Sequence, residues 1–175
     1  MRAEPGEDAE QVTQALRGEP LTLLERRGDW VRVITAYDYP GWLRSVELEA
    51  GEGVLARARA GDPVAEARTF LGAPYLWGGL TAAGIDCSGL VHMAYRRLGR
   101  LVPRDACQQE AAGAEVAEPR PGDLVTYGTD VECDHVAFLL ESGRILHATG
   151  REALGVVEEE EPAELRERRR RVMRL

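Results

Sequence analysis

Lysine and asparagine are both missing from this 175-residue chain. Without asparagine there is no Cys-His-Asn triad, and without lysine no Schiff base can form. Any triad must take His, Asp, Glu or Gln as its third member. Histidine occurs only at 92, 135 and 147. No stretch approaches the roughly 18 apolar residues that a membrane helix requires. Met1 to Glu10 is acidic and has no apolar centre, so no secretory leader is expected. The three cysteines, Cys87, Cys107 and Cys133, have spacings of 20 and 26, which suit neither a disulfide framework nor a zinc knuckle. Reduced thiols in a cytoplasm are the simplest account. All 22 basic residues are Arg, against 30 acidic ones, for a net charge of -8. A uniform basic face is excluded on this balance, and neither nucleic acid nor membrane is expected as a partner. The basic block 166–174 follows the acidic run 158–161, and the two read as a solvated terminal helix and strand with offsetting charge.

What is present is an ordinary globular composition, 44% hydrophobic and 30% charged. The length suits one domain, or one domain with a small module. Leu21–Leu24, Trp30–Ile34 and Gly41–Leu43 each suit a half-buried strand, with turns at Arg27-Gly28-Asp29 and Asp38-Tyr39-Pro40-Gly41. Residues 1–50 therefore read as a small β-barrel and 51–62 as a linker. Pro63–Leu71 reads as a short helix with Val64, Ala67 and Leu71 on one face. Asp86–Leu98 is the clearest helix, with a stripe of Leu90, Val91, Ala94 and Leu98 and with Gly99 just past its end. Strands follow at 123–127, 136–140 and 144–148. A helix followed by antiparallel strands gives an α+β domain over 63–175.

Asp86 is a plausible N-cap, which puts Cys87 at the first helical position. A helix N-terminus and a neighbouring imidazole both depress a thiol pKa. On local sequence alone Cys87 is equally a nucleophile or a small buried hydrophobe. Its backbone N–H is a candidate oxyanion donor. Cys107 and Cys133 lack such a setting and read as structural or incidental. His92, five residues after Cys87, has the wrong spacing for a shared helix face and reads as structural or exposed. The turn Glu141-Ser142-Gly143, if it is a three-residue loop, pairs Leu140 with Arg144 and so Ala137 with His147. His135 then becomes the diagonal neighbour of His147, about 7–8 Å away. A two-residue turn would put the rings on opposite faces. In the first case His135 takes the Cys87 proton and His147 holds the His135 ring. A metal site of two His and one Cys is the competing reading, but no short-range ligand pair supports it.

Six blocks in order, Pro74–Gly79, Asp86–Leu90, Pro103–Asp105, Arg120–Leu124, Asp134–Ala137 and Ile145–Ala148, resemble the NlpC/P60 family of bacterial cell-wall peptidases, which have a papain-like core of helices on an antiparallel sheet. The resemblance implies a Cys87, His135, His147 triad and cleavage of the γ-D-glutamyl bond to a diamino acid in murein peptides. It implies Tyr75 as an active-site tyrosine, Asp86 and Ser88 in the peptide cleft, and Arg104-Asp105 as a cleft motif. Ala106 stands where relatives often carry Ser. The first 50 residues resemble a bacterial SH3-like module of the dipeptidyl-peptidase VI-like subgroup. That likeness implies that Glu10, Tyr39 and Asp86 bind the free amine of an N-terminal L-Ala. Neither a metal nor a cofactor is expected. A monomeric cytoplasmic enzyme of murein recycling is the expectation. The alternatives are a secreted endopeptidase of intact wall and a non-catalytic module that binds murein peptides.

Overall fold

The computed structural model describes all 175 residues. No helix is long and apolar enough to cross a membrane. The N-terminal part is a three-stranded antiparallel sheet of β1 (Leu21–Arg27), β2 (Trp30–Thr35) and β3 (Pro40–Arg44), in that order. β2 alternates as its sequence requires, with Val31 and Val33 buried and Arg32 exposed. Met1 packs on both valines, and Arg2 bridges to Gln11 and Trp42, closing the sheet toward a barrel. β1 is more exposed than its composition suggests. It is an edge strand with a bulge at Leu24, and Leu23 and Leu24 face solvent.

Residues 50–62 carry no helix or strand. Next come α1 (Pro63–Arg68), β4 (Leu80–Thr81), β5 (Gly84–Ile85), α2 (Cys87–Arg97) and α3 (Ala106–Ala112). After them come β6 (Ala114–Glu115), β7 (Leu124–Gly128), β8 (Cys133–Leu139), β9 (Arg144–Thr149), β10 (Gly155–Glu160), α4 (Ala163–Arg166) and β11 (Arg169–Arg174). Six of these strands form one antiparallel sheet in the order β10-β9-β8-β7-β11-β6. The helices pack on it around one main core, so the class is α+β as the sequence predicts.

α2 is buried from Cys87 to Tyr95, because it lies between the sheet, α1 and the N-terminal module. Gly99 follows its end at φ 71, the left-handed conformation that glycine adopts freely. Burial of side chains such as Leu90 and Val91 is worth about 1.5–3 kcal/mol each.

Two expectations need correction. α1 stops at Arg68, and Leu71 is exposed while Phe70 takes the core position. The Thr69 hydroxyl donates to the Glu66 carbonyl, and Gly72 at φ 79 turns the chain so that its N–H reaches the Val156 carbonyl. The acidic run 158–161 is not a solvated face. Its first three residues form the end of β10, and Glu161, just past the strand, is buried, accepting from the Tyr127 hydroxyl at 3.0 Å and from Arg169 at 2.5 Å. β11 likewise lies inside the sheet, between β7 and β6.

Candidate active site

Asp86 has extended backbone (φ -98, ψ 178), and its side chain accepts from the Gly89 N–H at 2.6 Å. It is the N-cap of α2, and Cys87 is the first helical residue. The backbone N–H groups of Ser88 and Val136 act on the Cys87 sulfur, favouring its thiolate. Val136 follows His135 on β8, so the thiol lies against the strand that carries the imidazole. The direction of the thiol shift differs from expectation. Burial, then the Asp86 charge, pushes Cys87 up to about 12, and the two N–H groups pull against this. Coverage by β8 outweighs the helix N-terminus. Tyr75 is half-buried against the same core and bridges to Ile85 beside the helix start; its hydroxyl is raised by burial and by the neighbouring Cys87 and Asp86.

The β8–β9 hairpin has the register that a three-residue loop requires. Phe138 faces Leu146, Leu139 faces Ile145, and the Leu140 N–H donates to the Arg144 carbonyl at 2.8 Å. Gly143 ends the loop at φ 75. His135 and His147 therefore share a face, with His135 Nε2 2.8 Å from His147 Nδ1 and the rings edge-on at 5.0 Å between centroids. His135 is pushed down to about 3 by burial, then by His147 and Arg168. The thiol at the start of α2 and the imidazole on β8 are therefore both neutral at rest. This arrangement suits a thiol that loses its proton only as it attacks.

Asp86 and Arg104 form a buried pair. Arg104 Nη1 donates to Oδ1 at 2.9 Å and Nη2 to Oδ2 at 2.7 Å. Gly78 N–H also reaches Asp86, at 2.7 Å. Ser88 accepts from Arg104 at 3.0 Å, and Thr13 of the N-terminal module accepts from Arg104 Nε at 3.0 Å. Asp86, Ser88 and Arg104 thus occur together, but as a buried frame under the helix start. Two further contacts join the modules at the surface. The Tyr39 hydroxyl donates to Asp105 Oδ1 at 3.2 Å, and Glu10 Oε1 accepts from Trp77 Nε1 at 2.7 Å. Burial pushes the Asp105 carboxyl up, against the pull of Tyr39 and Arg104.

A model described as the NlpC/P60 family matches residues 72–167, which hold all three members of the Cys87, His135, His147 set. The chain belongs to the NlpC/P60 family. Residues 1–48 match the bacterial dipeptidyl-peptidase Sh3 domain. The chain is 24% identical over 221 residues to a gamma-D-glutamyl-L-lysine dipeptidyl-peptidase of Bacillus cereus, covering 78% of this chain and 66% of that protein. It is 34% identical over 97 residues to the Bacillus subtilis protein of the same name, covering 53% of this chain and 33% of that one. It thus spans less than two thirds of either relative. The crystal structure of a B. cereus NlpC/P60 family protein superposes with a TM-score of 0.61 at 27% identity, over 88% of this chain and 53% of that one.

Beyond the NlpC/P60 blocks, the structure supplies a residue that the sequence reading passes over. Glu159 Oε1 lies 2.9 Å from His147 Nε2, and Arg151 holds both Glu159 oxygens. Val157 pairs with His147 across β10 and β9, so Glu159 is the diagonal neighbour of His147 by the same period-two rule that joins the histidines. The remaining candidates lie outside the site. His92 is fully buried, with Nδ1 2.8 Å from the Val102 carbonyl, so it is structural and not exposed. Cys133 is buried with its thiol toward the His135 carbonyl, and Cys107 is exposed on α3.

Proposed function

We propose that the chain is a cysteine peptidase. It hydrolyses the bond between γ-D-Glu and a diamino acid in murein peptides with a free N-terminal L-Ala. The observation that carries this reading is Cys87 at the start of α2, packed in one core with Val136 of β8, the strand on which His147 holds the His135 ring at 2.8 Å.

The chemistry follows from that arrangement. His135 takes the thiol proton as the sulfur attacks the γ-carbonyl of D-Glu. The Cys87 N–H at the open helix start faces the developing oxyanion. The tetrahedral species collapses, the C–N bond breaks, and the His135 proton passes to the leaving amine of the diamino acid. Water, deprotonated by His135, then hydrolyses the Ala-γ-D-Glu thioester and restores the thiol.

The Tyr39–Asp105 and Glu10–Trp77 contacts, where the N-terminal module meets the catalytic domain, support a wall at one end of the cleft. Carboxylates and a hydroxyl there suit an ammonium group and leave little room for a longer chain. A free amine arises once the glycan has been removed, and this suits a cytoplasmic monomer acting in murein recycling, with no metal or cofactor. The test is mass spectrometry of products from Ala-γ-D-Glu-diaminopimelate, beside its N-acetylated form. Release of Ala-γ-D-Glu from the free-amine peptide alone is expected. Equal rates on both forms would favour an endopeptidase of intact wall, and no product from either would favour a binding module.

A further inference from the structure

We infer that Glu159 is a positioning residue that sets the protons of both histidine rings, leaving Nδ1 of His135 as the bare lone pair of the relay. This rests on the peptidase reading above, and it concerns which atom does the work.

Arg151 reaches both oxygens of Glu159 and is itself bonded to Glu164. Burial opposes the Glu159 charge, yet the bonds from Arg151 and His147 hold its carboxyl below the usual value. An ionised carboxylate only accepts, so the His147 nitrogen facing it, Nε2, must carry a proton. A neutral ring then leaves Nδ1 of His147 as an acceptor. His135 Nε2 lies 2.8 Å from that atom and must donate to it. His135 therefore has its proton on Nε2, and its Nδ1 is free to receive the thiol proton.

During acylation the Cys87 proton moves to His135 Nδ1, and the resulting cation points through His147 toward a fixed negative charge. No proton passes to Glu159. The other charged or titratable groups facing the relay are Arg168, paired with Asp134, and Tyr127, whose ring lies 5.6 Å from His135. Neither contacts His147 Nε2, so Glu159 alone fixes that end. A glutamine there can offer either its carbonyl or its N–H. The N–H choice reverses both rings and places a proton on His135 Nδ1, which removes the base.

The experiment uses the full chain with 15N-labelled histidine, as wild type, Glu159→Gln and Glu160→Gln. Glu160 is exposed on the same strand. Imidazole 15N shifts of the wild type at neutral pH are expected to report Nε2–H on both His135 and His147. In Glu159→Gln the two rings are expected to show mixed tautomers. Its kcat on Ala-γ-D-Glu-diaminopimelate is expected to fall about 10- to 100-fold with KM unchanged. Its acid limb is expected to move to lower pH, because the charge that raises the His147 pKa has gone. Glu160→Gln is expected to match wild type in every readout. Nδ1–H on either wild-type ring overturns the inference whether or not any variant folds. So does a folded Glu159→Gln protein with unchanged tautomers. A wild type that releases no diamino acid overturns the peptidase reading instead, while the shifts still judge the tautomers.

Discussion

Arg104 grips Asp86 through both carboxylate oxygens, at 2.9 and 2.7 Å, with both side chains almost wholly withdrawn from solvent. This pair braces the cap of α2 and therefore the placement of Cys87. Arg104→Met would strand a buried carboxylate, and a loss of about 3–5 kcal/mol is expected. Urea unfolding measures it. A curve within about 1 kcal/mol of wild type would show that the pair contributes little beyond a hydrophobic replacement.

Cys87→Ala is expected to abolish turnover while leaving peptide affinity within about threefold, since truncating a buried thiol removes no charge. Isothermal titration with Ala-γ-D-Glu-diaminopimelate checks the affinity and product analysis checks the turnover. Residual cleavage at the wild-type rate would refute the thioester route.

Tyr39→Phe removes the hydroxyl that donates to Asp105. If that wall holds the substrate ammonium, KM for the free-amine peptide is expected to rise about tenfold, from the loss of one charge-linked hydrogen bond of about 1.5 kcal/mol. Discrimination against the N-acetylated peptide is expected to narrow by the same factor. An unchanged ratio of kcat/KM for the two peptides would remove Tyr39 from amine recognition.

His92 is buried, with Nε2 unpartnered, and burial pushes it down to about 4. Unfolded, its pKa is about 6.5. The folded value is lower, so the unfolded chain binds the extra proton. The stability from keeping His92 neutral is complete above about pH 6.5 and is lost as pH falls toward 4. About 2 kcal/mol is expected to go between pH 7 and pH 5 from this residue. His135 and His147, both lowered by burial, act in the same sense. Denaturant midpoints across that range measure the slope, and His92→Gln should flatten it. An identical slope in that variant would assign the effect elsewhere.

The facing histidines were readable because they depend on local rules: a glycine-ended three-residue turn and a side-chain period of two. The cap at Asp86 was readable for the same reason. Glu159 was not, although it obeys the same diagonal rule. Its register depends on the chain turning again through 151–154 and re-pairing at Gly155, where φ is 68 and a β-carbon would meet the Ala73 carbonyl oxygen at 2.1 Å. Four consecutive glutamates gave no alternation from which to infer a buried face. The direction of the Cys87 shift escaped for a related reason. The helix end is visible in sequence, but the strand that covers it comes about fifty residues later.

Gln11 and Gln14 donate to and accept from the loop 77–80, through the Trp77 carbonyl and the Leu80 N–H, each at 2.8 Å. That loop also gives the Gly78 N–H to Asp86. The N-terminal module is thus fastened to the same stretch of chain that frames the nucleophile. Warming the protein should accordingly release both parts together, in a single endotherm, because neither half can let go without taking the other's anchorage with it.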